Sequence, residues 1–148
     1  MDVIDKKILK NLQKNARMTI SDLSAEISLS MPAISERLKK LEASGVIKQY
    51  TVILDPAMLN KHLMALMYVQ LENPTHGDSF ASFVKDELEI KECFYITGEF
   101  DYSLKIVTES TKTLELLLNR IKNQPGILKT QTIVVLSSIT DNPSIIPD

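Results

Sequence analysis

Tryptophan is absent from this chain, and among its 148 residues histidine occurs twice, glycine four times and cysteine once. Each shortage removes a class of function. A lone thiol, Cys93, excludes an internal disulfide; it lies in an apolar segment and is expected to be a buried small side chain. His62 and His76 stand in no Cys/His spacing that suits zinc, so no metal site and no cofactor are expected. The four glycines sit in turn or cap contexts and leave no phosphate-cradling loop. No nucleophile falls in a recognisable catalytic motif, and the chain is not expected to be an enzyme. No apolar run reaches the roughly 18 residues that a membrane-spanning helix needs. The segment Met1-Asp2-Val3-Ile4-Asp5-Lys6-Lys7 alternates charged and apolar residues, unlike a signal peptide, so the default location is cytoplasmic, with no membrane partner.

What is present divides into two halves. Hydrophobic residues make up 44% of the chain, which suits a globular protein of one medium or two small domains. The formal net charge of −2 hides an asymmetry. Residues 1–50 carry nine Lys and Arg against six Asp and Glu, a net +3, while residues 51–148 carry eight against thirteen, a net −5. A modest basic excess in the first half suits nucleic-acid contact only if several copies act together.

That first half contains two short helices joined by a tight turn over residues 19–47. Thr19 is a good N-cap, with Asp22 three residues on as a weak capping box and Met18 and Leu23 as a hydrophobic staple. Ser28-Leu29-Ser30 interrupts the helix, since serine side chains compete for backbone hydrogen bonds. Ser30 can cap the next helix, and Pro32 is tolerated in its first turn. In that second helix Ile34, Leu38 and Leu41 share one side, while Pro32, Glu36 and Lys39 lie opposite, flanked by Ala33, Ser35 and Lys40. Gly45 is placed to end it. An earlier helix, Asp2 to about Asn15, supplies Ile4, Ile8, Leu9 and Leu12 to a three-helix core. The arrangement is that of a helix-turn-helix, whose second helix enters the DNA major groove; an ordinary solvated helix is the alternative. After Gly45, the β-branched run 46–54 predicts a strand, stopped by Asp55-Pro56.

The second half alternates strand and helix patterns. Strands are expected over Leu63–Leu71, Glu92–Thr97, Tyr102–Thr108 and Leu128–Ser138. Helices are expected over Asp78–Glu89, burying Phe80, Phe83, Val84 and Leu88, and over Thr111–Asn123, burying Leu114, Leu117, Leu118 and Ile121. The order βαββαβ is ferredoxin-like. Helices cover one face of such a sheet, yet the first strand is apolar on both, with Leu63, Ala65, Met67, Val69 and Leu71 against Met64, Leu66 and Tyr68. A two-fold-related second subunit is expected to cover the open face. The tail from Asp141 to Asp148 is expected to be extended or disordered.

Taken together, Leu29-Ser30, Arg37-Leu38-Lys39-Lys40-Leu41-Glu42, Gly45-Val46-Ile47, the Asp55-Pro56 linker and Gly98-Glu99-Phe100-Asp101-Tyr102 resemble the Lrp/AsnC (feast/famine) regulators over roughly residues 1–139. The resemblance implies an α+β protein: a winged helix-turn-helix DNA-binding domain with a linker strand at 1–60, then a ferredoxin-like ligand-binding and oligomerisation domain at 61–148. It implies homodimers that can assemble as octamers of four dimers, and an amino acid or related metabolite as effector. By that resemblance the DNA-binding residues are Ser30, Met31, Pro32, Ala33, Ser35, Glu36, Arg37, Lys39 and Lys40. The effector residues are Thr97, Gly98, Glu99, Asp101 and Tyr102. Bland alternatives stay open for three of these: Arg37 either contacts phosphate or pairs with a carboxylate such as Asp5, and Gly98 and Asp101 either border a ligand or merely shape a hairpin turn. The resemblance also leaves open an architectural DNA-bending protein without effector, a metabolite-binding module, and an enzyme like the sirohaem decarboxylases. The acidic second half argues against the last, whose polycarboxylate substrate needs a basic pocket.

Overall fold

The computed structural model describes residues 1–148, and the chain separates into two compact units. One comprises Met1–Ile53 with Thr140–Asp148, the other Leu54–Ile139. No helix is long and apolar enough to cross a membrane.

The first unit contains three helices, α1 (Val3–Lys14), α2 (Ile20–Ile27) and α3 (Met31–Ala43). Each start has a local cause. Asp2 caps α1 by accepting the amides of Ile4 and Asp5, both at 2.9 Å. Thr19 and Asp22 form the reciprocal capping box of α2, with Asp22 N–H to Thr19 Oγ1 at 3.1 Å and Thr19 N–H to Asp22 Oδ2 at 2.8 Å. Ser28 then turns the chain in a left-handed conformation, φ 59°, ψ 47°. Ile8, Leu12, Leu23, Ile34 and Leu41 form the core, with Leu29, Leu38 and Ile47 packed around it. Ser30 stands at the N-cap of α3, but its side chain makes no cap bond.

The strand expected over 46–54 does not form. Gly45 (φ +75°) donates to the Glu42 carbonyl at 3.0 Å and Ile47 to Leu41 at 3.1 Å, which closes α3. Beyond them the backbone has no regular structure, and Val52, Ile53 and Leu54 are exposed. A β-branched run becomes a strand only against another strand, and the chain offers this one no neighbour.

The second unit is β1 (Leu63–Leu71), α4 (Gly77–Asp86), β2 (Ile90–Tyr95), β3 (Tyr102–Thr108), α5 (Thr111–Lys122) and β4 (Ile127–Val135). The strands form one antiparallel sheet in the order β2-β3-β1-β4, as a ferredoxin-like βαββαβ order requires. On the helix-covered face, Ala65, Met67, Val69, Leu104 and Ile106 bury against Phe80, Val84, Leu114, Leu117 and Ile121. Two expectations fail at the margin of that core. Leu88 is 85% exposed, because α4 stops at Asp86 and Glu87 takes an extended conformation. Cys93 is exposed as well. It opposes buried Leu104 across the β2–β3 ladder, but β2 is an edge strand with no neighbour on its outer side.

The opposite face of the sheet has no helix. The register places Leu66 between Ile133 and Lys105, and Met64 between Val135 and Val107. Phe94 and Ile133 are 56% and 45% exposed. Polar residues border this patch toward β2, where Lys105 pairs with Glu92 at 3.1 Å, and toward the far end of β1 and β4, where Gln70, Lys129 and Gln131 share the face.

Candidate functional site

Helix α3 presents its outward residues through the placement of Ile34 and Leu41 in the core. Met31, Pro32, Glu36, Lys39 and Lys40 are exposed, and Ala33 and Ser35 are half-buried beside them. Ser30 and Pro32 occupy the entry to the helix. The charges on this surface are not equivalent. Glu36 and Lys40, one turn apart, pair at 2.7 Å, and that contact holds the Glu36 carboxyl below its usual range. Lys39 makes no ion pair.

Arg37 is turned toward α1. Its Nη1 donates to Asp2 Oδ2 and to Asp5 Oδ1, each at 2.7 Å. The ion-pair alternative for this residue is therefore realised, and the partner set is larger than the sequence suggested. Asp2 had no signal of its own, because it serves at once as the α1 cap and as a counterion. Hydrogen bonds from the Asp5 amide and then from Arg37 hold the Asp2 carboxyl below its ordinary value, and the two carboxylates push the guanidinium up.

The second candidate region is the turn between β2 and β3. Gly98 sits at φ +115°, where only glycine is at ease, with open space around it. Asp101 is the structural pin of this turn. Its carbonyl accepts the Ile96 amide at 2.8 Å, its own amide donates to Val69 O at 2.9 Å, and its Oδ2 accepts the Leu71 amide at 2.7 Å. Glu99 pairs with Lys129, whose ammonium also lies 5.4 Å from the centre of the Phe100 ring. Tyr102 stacks obliquely between Phe80 and Tyr95, with ring centres 4.9 Å and 5.3 Å away. Burial pushes its hydroxyl pKa up. Thr97, Gly98 and Glu99 are exposed. Four of the five expected residues thus share one turn and Tyr102 opens β3 beside it, but Glu99, Asp101 and Tyr102 reach for three different neighbours, β4, β1 and α4.

Both units match known families. A family model described as winged helix-turn-helix DNA-binding matches residues 1–48, and one described as the Lrp/AsnC ligand binding domain matches residues 64–145. The chain is 33% identical to the HTH-type transcriptional regulator FL11 of Pyrococcus abyssi, over 93% of its own length and 91% of the relative's. It is 34% identical to the leucine-responsive regulatory protein of Haemophilus influenzae, over 94% and 86%. Its fold superposes with TM-score 0.93 and 32% identity on the crystal structure of a transcriptional regulator–L-Met complex from Neisseria meningitidis, covering 98% of this chain and 96% of that one. A helix-turn-helix unit and a ligand-binding unit that each match the family, in the family's order and over nearly the whole chain, place the protein among the DNA-binding transcriptional regulators of the Lrp/AsnC family.

Proposed function

We propose that this regulator works as a two-fold dimer whose C-terminal units sense an amino acid and whose α3 helices read DNA. The open sheet face carries the dimer reading. Met64, Leu66, Ile133 and Val135 make an apolar surface that water should not face in a lone subunit. A second copy of the same face satisfies it with isologous contacts. Two copies also double the weak basic excess of the DNA-binding unit.

On α3, Lys39 supplies a phosphate contact, and Lys40 a second once Glu36 leaves their exposed ion pair for a base edge, where glutamate suits a cytosine amino group; Ser35 faces the bases beside it. Ser30, Met31, Pro32 and Ala33 lie at the helix entry, where the backbone approaches the duplex. Arg37 contributes by fixing α3 against α1.

The effector reading is supported by the exposed, glycine-containing turn and by the relative that was crystallised with L-Met. Amides of the Thr97–Glu99 stretch suit a carboxylate, and Glu99 and Asp101 suit an α-ammonium group. Because their charges repel an anion that lacks an amine, a zwitterion is the class favoured. Such a ligand acts by binding one assembly better than another. The direct test is a gel shift on the gene's own upstream region, at two salt concentrations, with each of the twenty amino acids. A sequence-selective shift altered by one amino acid is the expected result. A salt-sensitive shift indifferent to all of them would favour the architectural reading.

A further inference from the structure

The free positive charge of the DNA-binding unit does not sit mainly on α3. There Arg37 is neutralised by Asp2 and Asp5 and Lys40 by Glu36, which leaves Lys39 as the one unpaired cation of the helix. Helix α1 is different. Lys7, Lys10 and Lys14 are exposed, recur at i, i+3 and i+7, and none has an acidic partner. At about 100° per residue they lie opposite the buried pair Ile8 and Leu12, so they form one outward stripe. No Asp or Glu stands three or four residues from any of them, and Asp5, the one carboxylate within α1, faces Arg37. Like charges at this spacing destabilise a helix in isolation. Spread over about 10 Å of helix axis, they match the scale of successive phosphates on a duplex strand.

We propose that the outer face of α1 is a second DNA-binding surface, whose Lys7, Lys10 and Lys14 take the sugar-phosphate backbone of a duplex segment other than the one that receives α3. The occupant follows from charge, since three unpaired ammonium groups in a row suit a linear polyanion. The separate segment follows from geometry. The outward faces of α1 and α3 point away from a shared core of Ile8, Leu12, Ile34 and Leu41, so one straight duplex seated on α3 does not reach the stripe. Each subunit then holds two stretches of DNA, which favours wrapping or bridging over simple site occupancy.

The proposal rests on DNA binding through α3, and one experiment separates the two. Affinity of the full-length protein is measured against salt on a short duplex with one binding site and on a long fragment. The variants are Lys7→Ala/Lys10→Ala/Lys14→Ala, Lys39→Ala and, as a charge control on α5, Lys112→Ala/Lys122→Ala. All these lysines are exposed, so folding should be preserved. The triple variant is expected to flatten the log–log salt slope on the long fragment by roughly 2–3 units, at about 0.9 per lost phosphate contact, and to leave the short-duplex slope unchanged. Lys39→Ala should flatten both. An unchanged slope on the long fragment, an equal fall on both DNAs, or an equal fall with the α5 control overturns the second surface. If only Lys39→Ala has no effect, the assignment of α3 fails instead.

Discussion

The Oδ2 of Asp101 accepts the backbone N–H of Leu71 at 2.7 Å, across thirty positions of sequence. Leu71 is buried and lies two residues past Val69 and Tyr102, the last pair of the β1–β3 ladder. Its amide points to that edge, beside the Val69 carbonyl that accepts the Asp101 amide, and the aspartate supplies the acceptor that the ended ladder lacks there. The same residue is a candidate partner for an effector ammonium, so its structural and ligand roles have to be separated by choice of substitution.

Asp101→Ala leaves the Leu71 amide buried without a partner and should destabilise the C-terminal unit by about 1–3 kcal/mol. Asp101→Asn keeps a carbonyl acceptor and removes only the charge. The expected outcome is near-wild-type thermal stability for Asn, a lowered melting temperature for Ala, and loss of amino-acid response in both. An Asn variant that still responds fully would assign Asp101 to the turn alone.

Much of this fold was legible locally, because its signals act within one or two turns of chain. The Thr19/Asp22 box, the periodic burial of Leu114, Leu117 and Ile121, and the span Leu63–Leu71 could be read from neighbours alone. What failed depended on distant chain. Residues 46–54 have strand composition but no partner strand, and Cys93 alternates correctly but stands on an edge strand, where it is exposed. Leu88 fits the periodicity of α4 but lies past its end, where Glu87 is held by Arg120 of α5. The candidate site shows the same division: α3 and the Gly98 turn announced themselves, while the Asp2 and Asp5 clamp on Arg37 and the Asp101–Leu71 bond join residues about thirty apart.

Arg120 clamps α5 to the segment after α4. Its Nε and Nη2 donate to Glu87 at 2.8 Å and 2.9 Å, and Nη2 reaches Glu89 at 3.2 Å. The Arg120 contact holds the Glu87 carboxyl below its usual value. A depressed carboxylate pKa stabilises the fold above the unfolded-state value and loses that contribution as pH falls through the folded-state value. Arg120→Ala should therefore cost about 1 kcal/mol at neutral pH, since the guanidinium is partly exposed. The gap from wild type should close as acid protonates Glu87. Urea unfolding at neutral and acidic pH checks this, and a gap independent of pH would show that the loss is one of packing.

Arg37→Met should loosen the first unit without touching its apolar core. The change releases Asp2 and Asp5 together, so both α1 and the orientation of α3 relax. DNA affinity should fall while the salt slope stays close to wild type, because no phosphate contact is lost. A slope reduced by about one unit would instead make Arg37 a phosphate ligand.

Ile133→Glu tests the dimer face. Ile133 stands on β4 opposite Leu66 and is 45% exposed in the single subunit, so a glutamate there costs the lone fold little. Within an isologous interface the same change places a charge on each side of the two-fold axis and leaves both without partners. Sedimentation should show monomers that remain folded by circular dichroism. DNA binding should weaken far more than one lost contact explains, because a dimer that engages two half-sites owes much of its affinity to their linkage. A variant that stays dimeric would move the interface away from this face, and the apolar row of Met64, Leu66 and Val135 would then need another cover.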